Sequence, residues 1–558
     1  MRLFLYVKKA PLWSLFCLLL CTGQALAKGP GVAAIASAHP LATEAGHKIL
    51  QQGGNAFDAA VAVSAVLAVV EPYSSGIGGG GFWLLHRASD GYETMIDGRE
   101  RAPLAADRDL YLDKAGAVVP GLSINGPLAA GIPGEPAALA HISKRYGRLP
   151  LTQVLAPAIR IAREGFSVDA HYRRMASWRL EPLRANSAAA SVFLIEGEVP
   201  AVGERIRQPD LADTLQLLAD KGATGFYGGE LAKRLVADVK AAGGIWDLED
   251  LISYKVVERS PVRGSYMGLK ITSAPPPSSG GVALITMLNI LQGFNLPTVE
   301  EPQRTHLIVE AMRRAYRDRA DYLGDSDYVD IPLDALIHPW YAAGLARDIQ
   351  MNRASASNGN PEHEQGRDTT HFSILDREGN RVAATLSINY PFGSCFMVAG
   401  TGVLLNDEMD DFSASPGVPN IYGLVGAEAN AIAGGKRMLS SMSPTFVEDE
   451  AQLAILGTPG GSRIITMVLL GILEMAQGKG PQAWVDRPRF HHQYLPDKIE
   501  FEPDAFSETL RKQLESMGHE LKPLDHTYGN MQAIHWNKRT GRVEAASDPR
   551  GVGEAKIQ

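Results

Sequence analysis

TTHFSILDREGNRVAATLSIN, residues 369–389, is two runs of β-forming residues joined by Asp376-Arg377-Glu378-Gly379-Asn380, a segment with turn chemistry. The stretch reads as a β-hairpin with a threonine at its head. A turn centred between Glu378 and Gly379 makes cross-strand partners sum to about 757, which sets Thr369 opposite roughly residue 388 and near Ser387 and Asn389. On the second arm Val382, Ala384, Leu386 and Ile388 share one face, leaving Thr385, Ser387 and Asn389 on the other. Pattern alone describes an ordinary core hairpin with one wet face. The residues in front of it suggest more. Residues 352–368, NRASASNGNPEHEQGRD, contain no large aliphatic side chain, the composition of a mobile segment. A buried-type strand that follows such a segment without a turn has the look of a processing boundary. A cut there would leave Thr369 N-terminal, with an α-amine of reference pKa about 7.7 to 8.0, close enough to neutrality to act as base for its own hydroxyl.

The beginning of the chain fits an exported protein. Arg2, Lys8 and Lys9 precede an apolar run over residues 12–21, and Ala25-Leu26-Ala27 stand before Lys28, the layout of a secretory signal over residues 1–27. The run is too short for a membrane span, so no permanent anchor is expected and the mature chain should be periplasmic or secreted. Cys17 and Cys21 leave with the signal; Cys395 remains and no internal disulfide can form. The formal net charge of −8 becomes more negative once the three signal cations are gone. An acidic chain without a Lys/Arg tract speaks against nucleic acid as a partner. With 558 residues and 45% hydrophobic content, the core can be large, in several domains or one.

After the signal, residues 40–52 form an Ala-rich helix stopped by Gly53-Gly54, and Asn55 caps a second one to Val70 with Asp58 three residues in. That second helix is apolar on nearly every side and should be buried between layers. Gly76-Ile77-Gly78-Gly79-Gly80-Gly81 has the spacing G-x-G-x-x-G, but a helix precedes it and the strand-like Phe82-Trp83-Leu84-Leu85-His86 follows. A dinucleotide site needs the opposite order, so the glycines read as a close-packed turn. Residues 94–96 are a short strand leading to Arg99, which is either a solvated loop residue or an anion clamp at a strand end. Residues 104–260 read as mostly helical, 149–163 and 210–218 being the clearest amphipathic stretches. Pro275 to Gly281 is a rigid loop before a helix over 282–291. Arg313, Arg314, Arg317 and Arg319, within a helix over 304–323, are expected on its solvated face. His491-His492, in a strand-like run, reads as structural rather than ligating.

Beyond the hairpin the chain is dense in polar loops: Asn406-Asp407-Glu408-Met409-Asp410-Asp411-Phe412, Pro416-Gly417-Val418-Pro419-Asn420-Ile421-Tyr422-Gly423, Ser440-Ser441-Met442-Ser443-Pro444 and Thr458-Pro459-Gly460-Gly461-Ser462-Arg463. Together with Asp368-Thr369-Thr370-His371, and over nearly the whole chain from Val32 to Arg550, these motifs closely resemble the γ-glutamyltranspeptidase (glutathione hydrolase) family of N-terminal-nucleophile hydrolases. The resemblance implies an α+β fold, a four-layer αββα sandwich, made as a precursor that cuts itself between Asp368 and Thr369. Residues 28–368 and 369–558 would be the large and small subunits of a heterodimer sharing one intertwined domain. Thr369 would be the nucleophile. The family's second threonine, bonded to the nucleophile's amine, falls on Ser387, a departure that keeps a hydroxyl. Asn389, Glu408 and Asp411 match positions that bind the substrate α-amino group; Arg99, Ser440 and Ser441 match those for its α-carboxylate. Gly460 and Gly461 match the oxyanion hole, and Tyr422 the gate of a lid loop. Thr370 and His371 complete the motif without an evident chemical role.

The implied reaction is attack on glutathione or another γ-glutamyl compound, with transfer to water, an amino acid or a dipeptide, and no cofactor or metal. The nearest rival is a cephalosporin or glutaryl acylase, which shares fold and self-processing but takes an acyl group without the α-amine; Arg99, Glu408 and Asp411 weigh against it. A catalytically silent binding protein on the same scaffold is at odds with Thr369, Gly460 and Gly461. An α/β serine hydrolase lacks its G-x-S-x-G.

Overall fold

The computed structural model describes residues 29–357, 369–415 and 417–558. The expected secretory signal over residues 1–27 and most of the polar segment before Thr369 lie outside the described residues. Two antiparallel sheets pack face to face. The first has seven strands, in the order Glu554–Ile557, Ala34–Ser37, Thr370–Leu375, Arg381–Ser387, Gly80–Arg87, Tyr92–Gly98 and Val257–Arg259. The second has six: Val543–Ser547, Gln532–Asn537, Gln452–Gly457, Thr445–Glu448, Leu269–Ser273 and Val262–Tyr266. Between them, Phe82, Leu84, Leu375 and Ala383 meet Phe446, Ile455 and Ile534 in a dry interface. The helices Pro40–Gln51 and Ala56–Val70 cover the outside of the first sheet, and Gly280–Gln292, Gln303–Tyr322 and Ile464–Ala476 cover the second. This is the four-layer αββα sandwich expected of the sequence.

The hairpin lies in the middle of the first sheet, and its turn is fixed by one carboxylate. Asp376 accepts from the backbone N–H groups of Glu378 and Asn380, and also from Ala56 N at the start of the buried helix. Asn55 and Asp58 close a capping box on that same helix end. Gly379 takes φ +93°, which suits glycine alone. Because Asp376 N bonds to Asn380 O, the turn is symmetric about Glu378. Arg381 therefore pairs with Leu375 and Leu386 with Thr370, and Thr369 continues opposite Ser387. The sequence expectation was one residue off, since it centred the turn half a residue later.

Three other expectations change. Neither face of the hairpin is wet: every residue of both arms is buried, and the polar face carries His371 bonded to Thr385 inside the sandwich. Arg313, Arg314 and Arg319 are buried rather than solvated; the first two pair with Glu310, and only Arg317 is half-exposed. Residues 101–134 hold turns and one short 3-10 turn, so the helical region begins only at Glu135. The glycine run is close-packed as read. A Cβ on Gly79 would stand 2.2 Å from Ser387 O, and one on Gly80 2.3 Å from Gly98 O, so side chains there would push the neighbouring strands off Ser387.

Candidate active site

Thr369, 6% exposed, ends the hairpin arm at one edge of a narrow cavity. Ser387, its cross-strand neighbour, accepts the N–H of Asn389 on its Oγ at 2.8 Å. Asn389 sits just past the second arm at φ +75° and donates its amide to Asp407 O.

Opposite the threonine is a buried ion cluster. Arg99, 1% exposed, follows the strand Tyr92–Gly98 and reaches Glu408 at 2.5 Å and Asp411 at 2.5 Å. The reading of Arg99 as a solvated loop residue is thereby overturned. The 3-10 turn Glu408–Asp411 presents both acids. It is held by Asn406, whose carbonyl accepts from Glu408 N and whose amide donates to Gly78 O and Gly131 O. Ser440 and Ser441 close the far wall, Ser440 through a backbone bond to Pro277 O.

The cluster holds charges of both signs. Burial pushes the Glu408 carboxyl up to about 7, opposed by Arg99 and helped by Asp411. The Glu100 carboxyl beside it is pushed well above the usual carboxylate range by burial and by Glu408. One oxygen of Glu408 is buried without a donor. An arginine, two acids and an unpartnered carboxylate oxygen can exchange their mutual contacts for the α-carboxylate and α-ammonium of an amino acid.

Gly460 and Gly461 flank Thr369 from the neck between the strand Gln452–Gly457 and the helix Ile464–Ala476. Their φ angles of +138° and +55° call for glycine. Neither N–H finds an acceptor among the described residues, as an oxyanion hole requires. Tyr422 covers the cavity: its hydroxyl donates to Asn389 O at 2.7 Å, and a Cβ on Gly461 would stand 2.3 Å from its ring. Asn420 ties the same loop to Asp411 at 3.1 Å.

All the residues singled out in the sequence border this cavity except Gly460, which lines a neighbouring one that also touches Thr369. Sequence reasoning missed several supports. Arg319 bonds Ser279 at 3.1 Å and approaches Ser441 at 3.5 Å, the one polar signal on its helix that could have been followed. Thr370 donates to Glu71 at 2.7 Å. His371, pushed down to about 3 by burial, is a neutral packing group against Gly457. His491 is likewise structural, bonded to Thr466 and Gln493. His306, Glu310 and His519 converge as a metal site would, but each Glu310 oxygen already accepts two hydrogen bonds, from Arg313, Arg314 and Ser355.

The sequence model of the Gamma-glutamyltranspeptidase family matches residues 42–557. A glutathione hydrolase proenzyme of Pseudomonas sp. (strain A14) is 46% identical over 506 residues, 88% of this chain and 87% of that protein. Among solved structures, the cephalosporin acylase of Bacillus halodurans superposes with TM-score 0.84 at 28% identity, covering 95% of this chain and 96% of that one. The γ-glutamyltranspeptidase of Helicobacter pylori superposes with TM-score 0.56 at 42% identity, covering 57% of this chain and 92% of that one. With a family match over nearly its whole length, the chain belongs to the γ-glutamyltranspeptidase family.

Proposed function

We propose that the protein is a self-processing γ-glutamyltransferase and glutathione hydrolase. The observation that carries the reading is the convergence of Arg99, Glu408 and Asp411 in a buried cluster across the cavity from Thr369. A γ-glutamyl group presents one cation and one anion at the end remote from its γ-amide, and this cluster supplies counterparts for both.

In the precursor, the Thr369 hydroxyl attacks the carbonyl of Asp368 in an N-to-O acyl shift, and hydrolysis of the ester frees the Thr369 amine. The products stay joined, because Ala34–Ser37 of the large subunit pairs on both sides with small-subunit strands, Thr370–Leu375 and Glu554–Ile557. The relative's designation as a proenzyme agrees with this step. In the mature enzyme the α-amine, positioned by Ser387, takes the hydroxyl proton as Thr369 attacks the γ-carbonyl. The oxyanion is met by the N–H groups of Gly460 and Gly461. The C–N bond breaks, the amine leaves with the proton, and the γ-glutamyl ester passes to water, an amino acid or a dipeptide. Tyr422 excludes bulk water meanwhile. Residues 1–27 would direct export to the periplasm or medium; no helix among the described residues is long and apolar enough to cross a membrane.

The acylase reading has the fold likeness in its favour, but a glutaryl group brings no ammonium to Glu408 and Asp411. Steady-state turnover of γ-glutamyl and glutaryl 4-nitroanilides by the purified protein tests the choice. The γ-glutamyl compound should be preferred by more than tenfold in kcat/KM; preference for glutaryl would overturn the proposal.

A further inference from the structure

Tyr422 is held over the cavity by its backbone as well as its ring. Its hydroxyl donates to Asn389 O, and its own carbonyl accepts the side-chain amide of Gln493 at 3.2 Å. Gln493, 4% exposed, lies outside the lid, in the loop that follows the strand Phe490–His491. Within the lid, Tyr422 N and Leu424 N both donate to Asn420 Oδ1 at 3.0 Å, and Gly423 N donates to Asn420 O at 2.9 Å. Those bonds shape the lid, whereas the Gln493 bond fastens it to the body of the protein.

The network fixes the orientation of the Gln493 amide. Nε2 faces Leu495 O at 3.2 Å as well as Tyr422 O, so the side with two carbonyls takes the donor and Oε1 accepts. Oε1 meets His491 Nε2 at 2.8 Å, which makes that ring nitrogen the donor and leaves Nδ1 to accept from Thr466 Oγ at 2.9 Å. Burial and Arg463 push His491 down to about 3, so the ring is neutral near pH 7 and keeps this arrangement. Thr466 is in the first turn of the helix Ile464–Ala476, just after Gly460 and Gly461. Tyr316 packs edge-on against His491, ring centres 5.6 Å apart, and its hydroxyl donates to Ser462 O. One chain of buried bonds therefore runs from the oxyanion turn through Thr466, His491 and Gln493 to the lid backbone. The loop carrying Gln493 is pinned separately: His492 bonds Asp497 at 3.1 Å, and Asp497 pairs with Arg313 and accepts from Ser357 N at 2.7 Å.

We propose that Gln493 is a positioning residue that latches the lid by its backbone and so keeps the Tyr422 ring against Gly461. It touches neither the substrate nor the reacting atoms. The inference deepens the γ-glutamyl reading and rests on it, because the cavity under the lid is the one assigned to that group.

The test is hydrogen exchange of the free protein, read in fragments covering residues 417–424 and, as a control, the hairpin arm 370–375. Gln493→Met keeps the length of the side chain and removes the amide; Gln493→Asn keeps the amide but is one methylene short of Tyr422 O. In both, the lid fragments should exchange about 5- to 30-fold faster, the loss of one buried hydrogen bond, while the hairpin arm stays within about twofold. Unchanged lid exchange, or equal acceleration of lid and hairpin, would overturn the assignment, as would failure of both variants to fold. Exchange needs no active nucleophile, so the uncut chain serves if the variants do not mature. In matured enzyme, kcat/KM for γ-glutamyl-4-nitroanilide should fall in Gln493→Met, and the same change should cost nothing further in a Tyr422→Ala background, where no ring is left to hold. Equal losses in both backgrounds would put the effect on the oxyanion turn and overturn the latch. An unmodified enzyme that releases no nitroaniline would refute the γ-glutamyl reading, and the exchange result would still decide the latch.

Discussion

Removing Asp411 separates γ-glutamyl recognition from everything else the site does. Its carboxylate lies 2.5 Å from Arg99 with a side chain 12% exposed, and a second oxygen holds Asn420 of the lid loop. On the proposed reading, Asp411 and Glu408 would share the α-ammonium of a bound substrate while Arg99 turned to its α-carboxylate. Truncating one partner of a buried charge contact costs about 2 to 5 kcal/mol, mostly because the other charge stays desolvated. Glu408 remains, and Asp411 is the less buried of the two acids, so the lower half of that range applies. Asp411→Ala should lose about 2 to 3.5 kcal/mol, or roughly 30- to 400-fold, in kcat/KM for γ-glutamyl-4-nitroanilide. The glutaryl anilide has no ammonium to lose, so its slow turnover should hold or rise. Steady-state kinetics on both substrates, near pH 7.5 where the amine is charged, reads the difference directly. Equal losses on both would mean that Asp411 serves the lid or the nucleophile, and its role in recognition would be withdrawn.

Ser387→Ala in matured enzyme should reduce kcat about 5- to 150-fold, the loss of one hydrogen bond that positions a base; full activity would show that Ser387 does not support the Thr369 amine. Glu408, with its carboxyl near 7 in the free enzyme, is ionised above that pH and protonated below it. Its hold on the ammonium is therefore present on the alkaline side and lost as pH falls, and Glu408→Gln should lower kcat/KM while removing that acid limb from its pH profile. The limb set by the Thr369 amine should remain. Gly461→Ala places a methyl 2.3 Å from the Tyr422 ring at a φ of +55°; displacing the lid and one oxyanion donor by about 1 Å should cost on the order of 100-fold in kcat, and wild-type turnover would refute the closed geometry.

The hairpin was legible because its information is local: alternation, a five-residue turn and a glycine are enough to bring Thr369 beside Ser387. The register error of one residue came from the turn's centre, which the Asp376 bonds set and the letters alone do not. The buried helix Ala56–Val70 announced itself through its composition and its Asn55/Asp58 cap. The arginines of Gln303–Tyr322 misled because four cations on a helix ordinarily face water; what buries Arg313 and Arg314 is Glu310, on the same helix, together with residues 355 and 497 far along the chain. The site residues are spread from Arg99 to Gly461, and no periodicity joins them, so only the combined loop motifs pointed to one cavity.

On the proposed reading the chain makes its own nucleophile, and the products of the purified protein show whether it does. Electrophoresis with N-terminal sequencing should show two chains, one beginning near Lys28 and one at Thr369, while Thr369→Ala remains a single inactive chain. Cleavage of the alanine variant at the same bond would contradict the account, since the cut would then need no Thr369 hydroxyl.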